Sequence, residues 1–173
     1  VWQPPVGTLN DPDAFSSHLT LPTGIDTHLF CSAQILIPTT GQLLINGGDN
    51  WDPNLGGPGA GGNENIGTTE ISMFTPGTNV LTKAGNMSEP RWYGSPLTLP
   101  NGEMYIQGGT DGRSVFGGGQ PVVATHAEIR NPVTGTFRTL TGFNTADFDN
   151  NYPRNFVAPD GKLQRIVGVL NES

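Results

Sequence analysis

Three turn glycines, Gly41, Gly102 and Gly161, stand 61 and 59 residues apart, each between two short apolar segments. The segments are "SAQILIPTTGQLLINGGDN" (32–50), "GSPLTLPNGEMYIQGGTD" (94–111) and "RNFVAPDGKLQRIVG" (154–168). Each reads as strand, Pro-Gly turn and strand, and the first two close on a Gly-Gly pair. Two further strands follow each of these two hairpins, because "TEISMFTPGTNVLTKAG" (69–85) matches "HAEIRNPVTGTFRTLTG" (126–142). A unit of four short antiparallel strands, repeated about every 60 residues, constrains the fold more than any other property of the chain. It predicts an all-β protein assembled from propeller blades.

The Gly-Gly pairs fit the kelch type of blade, in which the inner hairpin ends and the chain turns without side-chain bulk. The expected blades are 30–85, 92–142 and 152–173 within a partial β-propeller domain spanning 1–173. That is two full blades and the inner half of a third, about two and a half in all. A closed ring needs typically 4–8 blades. The chain is therefore expected to be a piece of a longer propeller, or to need a second chain. The opening "VWQPPVG" reads as an outer strand with no local partner. The segments 50–67 and 110–122 do not repeat and are Gly-rich, so they read as surface loops, either linkers or the rim of a binding site. Asp49, Asp52 and Asn54 have the chemistry for calcium, but their spacing matches no calcium loop.

Composition removes several function classes. The 25 Gly and 15 Pro approach the range of disordered chains, yet regular apolar strands and 8 Phe, 3 Trp and 3 Tyr argue that they punctuate turns. The net charge of −7 and the absence of a Lys/Arg cluster exclude a nucleic-acid partner. No apolar run reaches the length of a membrane span. The chain opens on Val1, as after removal of a leader, and its scarcity of lysine suits a secreted or periplasmic protein. The single cysteine, Cys31, has no partner for an internal disulfide, and its plain reading is a small buried hydrophobe.

Cys31 has a second reading when it is placed in the repeat. It lies ten residues before Gly41, while Tyr93 lies nine before Gly102 and Tyr152 nine before Gly161. All three stand at the entry to the innermost strand of successive blades, where strand entries converge on one mouth of the channel. A thiol beside a phenol there is a specific pairing. With copper and oxygen, sulfur can add to the ring carbon next to the phenol oxygen, and the resulting thioether-tyrosine is easier to oxidise to a radical.

The stretch "THLFCSAQILIPTTGQLLINGGD" followed by "MSEPRWYGSPLTLPNGEMYIQGG" resembles the copper radical oxidases, the glyoxal oxidase and galactose oxidase group. "NNYPRNFVAPDGKL" is similar to a segment of the glyoxal oxidase branch. The resemblance covers roughly residues 25 to 168 and rests most on Phe30-Cys31 and Arg91-Trp92-Tyr93 at matching blade positions. It implies the N-terminal portion of a seven-bladed propeller that oxidises an aldehyde, primary alcohol or carbohydrate and reduces O2 to H2O2. It also implies Cys31 as thioether partner and Tyr93 as radical tyrosine and copper ligand, giving copper and a Cys-Tyr thioether radical as cofactors. The family's other ligands, a tyrosine in a Tyr-His pair and two histidines, have no counterpart here, since no Tyr-His pair occurs. On this reading the segment alone is inactive and its partner is the remainder of the propeller.

The remaining candidates keep plainer alternatives. Tyr152 and Arg154 line the substrate approach, or merely pack and make surface contacts. Trp92 either shields the radical ring at the substrate side or packs in the core, and strand alternation with Tyr93 points it away. His18, His28 and His126 read as surface or structural residues, and Asp11, Asp13 and Asp26 as loop acids. A catalytically silent kelch propeller that binds glycan or protein, or a structural propeller in a larger assembly, would need no Cys and Tyr at adjoining strand entries.

Overall fold

The computed structural model describes residues 29–49, 66–112, 121–146 and 151–166. It is all-β. Strands β1 (Ala33–Leu36), β2 (Leu43–Asn46), β3 (Glu70–Thr75) and β4 (Val80–Asn86) form one antiparallel sheet in chain order. Strands β5 (Ser95–Thr98), β6 (Met104–Gln107), β7 (Glu128–Arg130) and β8 (Phe137–Thr139) form a second in the same order. Strands β9 (Arg154–Val157) and β10 (Leu163–Ile166) pair as an antiparallel hairpin. The opening residues and most of the two non-repeating loops lie outside the described residues, as do His18, His28, Asp11, Asp13, Asp26, Asp52 and Asn54. No helix of the described residues is long and apolar enough to cross a membrane.

The hairpin turns are alike for a stereochemical reason. Gly102 (φ 82°) donates its N–H to the Leu99 carbonyl, and Gly161 (φ 80°) donates to Ala158, at 2.9 and 2.8 Å. Gly41 (φ 68°) reaches back one residue further, to Ile37 at 2.9 Å, because the first turn is one residue longer. A side chain at such a φ is strained, so glycine holds each position.

Alternation along the strands divides the core. Leu44, Ile71 and Met73 of the first sheet, with Ile37 and Met87, pack against Met104 and Ile106 of β6. Tyr105, between these two, faces the other way with Ala127 and Ile129, and Leu97, Leu99 and Leu140 pack around them. The central strands of the second sheet, β6 and β7, are thus buried on both faces along their whole length.

Arg91 joins the two sheets. Its backbone belongs to the first: its N–H donates to the Thr68 carbonyl at 3.0 Å and its carbonyl accepts from Gly48 at 3.1 Å. Its fully buried side chain belongs to the second, donating to the carbonyls of Gly108 (2.7 Å) and His126 (2.6 Å) and to Glu128 Oε1 (2.9 Å). The Gly-Gly pairs make room for this crossing. A Cβ on Gly47 would lie 2.0 Å from the Arg91 carbonyl oxygen, and one on Gly109 would lie 2.8 Å from Arg91 Cα. Missing side-chain bulk is therefore demanded by a neighbouring residue as well as by the turn.

Candidate functional site

Cys31, Tyr93 and Tyr152 each stand two residues before the first strand of their sheet or hairpin. All three share one backbone conformation, left-handed, with φ of 58°, 68° and 50°. Among the described residues only Asn79 is a further non-glycine with positive φ. Such a residue costs about 1–2 kcal/mol, so the surroundings must hold it in place. Tyr93 N–H donates to the Cys31 carbonyl at 3.0 Å, and Tyr152 N–H donates to the Tyr93 carbonyl at 2.8 Å. The three strand entries are thereby stitched side by side, with residues 62 and 59 apart in sequence in contact through the backbone.

The side chains gather at the same place. Hydrogen bonding with the Cys31 side chain, then burial, then the charges of Cys31 and Tyr152, pushes the Tyr93 phenol pKa up to about 12. Burial and Cys31 also raise the Tyr152 phenol, which donates to the Ser32 carbonyl at 3.3 Å. The Tyr152 ring meets the Tyr93 ring edge-on, with centroids 4.9 Å apart and planes at 61°.

Trp92 corrects one expectation from the sequence. Strand alternation points it away from Tyr93, but the two rings lie 4.1 Å apart and tilted by 34°. Alternation holds only in extended backbone, and the left-handed Tyr93 turns its ring back onto its neighbour. Trp92 is also buried, at 5% exposure, and its backbone pairs in both directions with Thr110. It packs in the interior and covers the Tyr93 ring at once.

Arg154 opens β9 as an exposed residue, in register with Ile166. His126 stands apart from the cluster, its Nδ1 2.8 Å from Thr125 Oγ1. Glu89 organises that corner, accepting from the Thr125 N–H (2.9 Å), the Thr125 hydroxyl (2.7 Å) and the His126 N–H (2.9 Å). Burial alone would raise the Glu89 pKa, but these bonds and the Arg91 charge hold it below the usual value. Asp49 is buried in an isolated bridge with Gly67. Among the described residues no three His, Cys, Asp or Glu side chains are grouped to hold a metal ion.

Sequence reasoning passed over Arg91 and Glu128 as structural residues, although the signal was present. Glu70-Ile71 and Glu128-Ile129 occupy matching places in the repeat, and both glutamates are buried. Glu70 takes Lys83 as its partner where Glu128 takes Arg91.

The fold is that of an all-β protein built from antiparallel meanders. Among solved structures it is similar to a fungal alcohol oxidase of the AA5 family in complex with copper, with 20% identity over 65% of this chain and a TM-score of 0.48. The match takes in 22% of that protein's length. No protein-family model and no curated protein matches the chain.

Proposed function

We propose that the chain is part of a copper radical oxidase, its sheets being blades of a kelch-type, seven-bladed propeller in a secreted or periplasmic protein. The observation that carries this reading is the juxtaposition of Cys31 and Tyr93 at adjoining strand entries, the Tyr93 N–H on the Cys31 carbonyl at 3.0 Å. A silent propeller has no use for that pair.

In this reading the Cys31 sulfur bonds to the Tyr93 ring carbon beside the phenol oxygen. The thiol and ring hydrogens leave with two electrons, which O2 takes up as H2O2. Tyr93 would hold copper as one ligand, the others coming from the rest of the propeller. The donor present, the Tyr93 phenol, fits that one ligand position and no more of the site. Bound copper supplies a one-electron acceptor beside the tyrosine. Cross-linking removes the thiol that holds the Tyr93 proton, and the phenol then ionises more readily. Trp92 over the ring face keeps water from the oxidised tyrosine. Tyr93 as a radical would take a hydrogen atom from the carbon of a primary alcohol, carbohydrate or hydrated aldehyde. The second electron would pass to bound copper as the substrate hydroxyl gives up its proton, and O2, taking both electrons and both protons as H2O2, would restore the radical and the metal. Tyr152 and Arg154 face the substrate approach.

Peptide mass analysis of the full-length protein after exposure to copper and O2 tests the proposal. A Cys31 peptide joined to a Tyr93 peptide, two hydrogens lighter and stable to reductant, is the expected result. Separate peptides with an alkylatable Cys31 would instead favour the silent propeller.

A further inference from the structure

Trp92, Tyr93 and Tyr152 form an unbroken file of three oxidisable rings, with centroid steps of 4.1 and 4.9 Å. One end is interior, with Trp92 5% exposed, and the other opens to solvent, with Tyr152 43% exposed. Tryptophan and tyrosine are the aromatic side chains that most readily give up a single electron. Rings in contact exchange that electron far faster than rings separated by solvent or aliphatic packing. Tyr105, the other described tyrosine, is buried on the Ala127–Ile129 face with its hydroxyl on Gln107 Oε1 at 2.8 Å.

We infer that Tyr152 is a surface port through which outer-sphere one-electron oxidants exchange electrons with Tyr93 and Trp92. The oxidant takes one electron from Tyr152, and the phenol proton passes to water, leaving a neutral tyrosyl radical. Tyr93 then returns an electron to Tyr152, which recovers a proton from water, while the Tyr93 phenol gives its own proton to solvent. Trp92 in turn gives an electron alone to the Tyr93 radical, which recovers a proton from solvent, and the buried indole keeps its N–H proton as a radical cation, so the oxidising equivalent reaches the inner end. The net charge of −7 favours a cationic oxidant. This port operates without copper or the thioether, so it stands or falls separately from the oxidase proposal.

The test uses the complete chain with a metal chelator, photogenerated tris(bipyridyl)ruthenium(III) and a nitroso spin trap, followed by mass mapping of adducts. Wild type is expected to carry label on Tyr152, Tyr93 and Trp92. Tyr152→Phe, which loses one hydroxyl, should lose most label on Tyr93 and Trp92, with labelling elsewhere unchanged. Tyr93→Phe should keep label on Tyr152 and lose it on Trp92. Low labelling of buried Tyr105 in both variants reports that the fold is retained. Wild-type labelling of Tyr93 and Trp92 in Tyr152→Phe, or of Trp92 in Tyr93→Phe, overturns the inference.

Discussion

At the scale of single residues, the site is defined by a backbone state that the sequence does not announce. The position of Cys31, Tyr93 and Tyr152 could be counted from the turn glycines, but their left-handed φ could not, since none is a glycine. Strand alternation gives the wrong direction for Trp92 for that reason. The raised Tyr93 pKa gives a direct check. Alkaline titration of tyrosinate absorbance should show Tyr93 and Tyr105 ionising only near pH 12. Cys31→Ala should bring Tyr93 down toward the ordinary value near 10 and leave Tyr105 in place. The folded protein therefore binds more protons than the unfolded chain between these pH values. Stability falls as pH rises through that window, and the fall should shrink in Cys31→Ala.

At the scale of elements, the hairpins were legible because Pro-Gly turns and alternating apolar residues carry their own chemistry. The junction between sheets was not, because it depends on atoms distant in sequence: the Arg91 backbone against Gly47 and Gly109. Two alanine substitutions separate these causes. Gly102→Ala meets only the Pro132 side chain, at 4.0 Å, and should cost about 1–2 kcal/mol from its positive φ alone. Gly109→Ala has the same φ problem and also presses on the Arg91 backbone, so it should cost clearly more. Urea denaturation of the two variants checks the order. Glu128→Ala leaves the buried Arg91 guanidinium with only the more distant Glu89 carboxylate, at 3.8 Å, and also strands the Ser88 N–H that Glu128 accepts at 2.8 Å. It should destabilise by about 3–5 kcal/mol, read from the same denaturation midpoints.

At the scale of the whole molecule, the shared core ties the sheets into one unfolding unit. Met104 is fully buried and packs with residues of both four-stranded sheets. Met104→Ala should cost about 2–5 kcal/mol. It should lower one common transition, because the core it hollows is not private to either sheet. Two separate transitions in calorimetry would show that the sheets fold independently. The repeat revealed that the sheets exist and are alike; which faces meet follows from the pleat, which sets Met104 and Ile106 opposite Tyr105. The crossing of Arg91 has a kinetic counterpart in amide exchange with deuterated water. The N–H groups of Gly48 and Arg91, bonded to Arg91 and Thr68 respectively, fix to the first sheet a residue whose buried side chain is held by the second, so fraying of strand ends does not free them. Both should exchange at the slow rate set by global opening, marking the junction as the last part of the molecule to admit solvent.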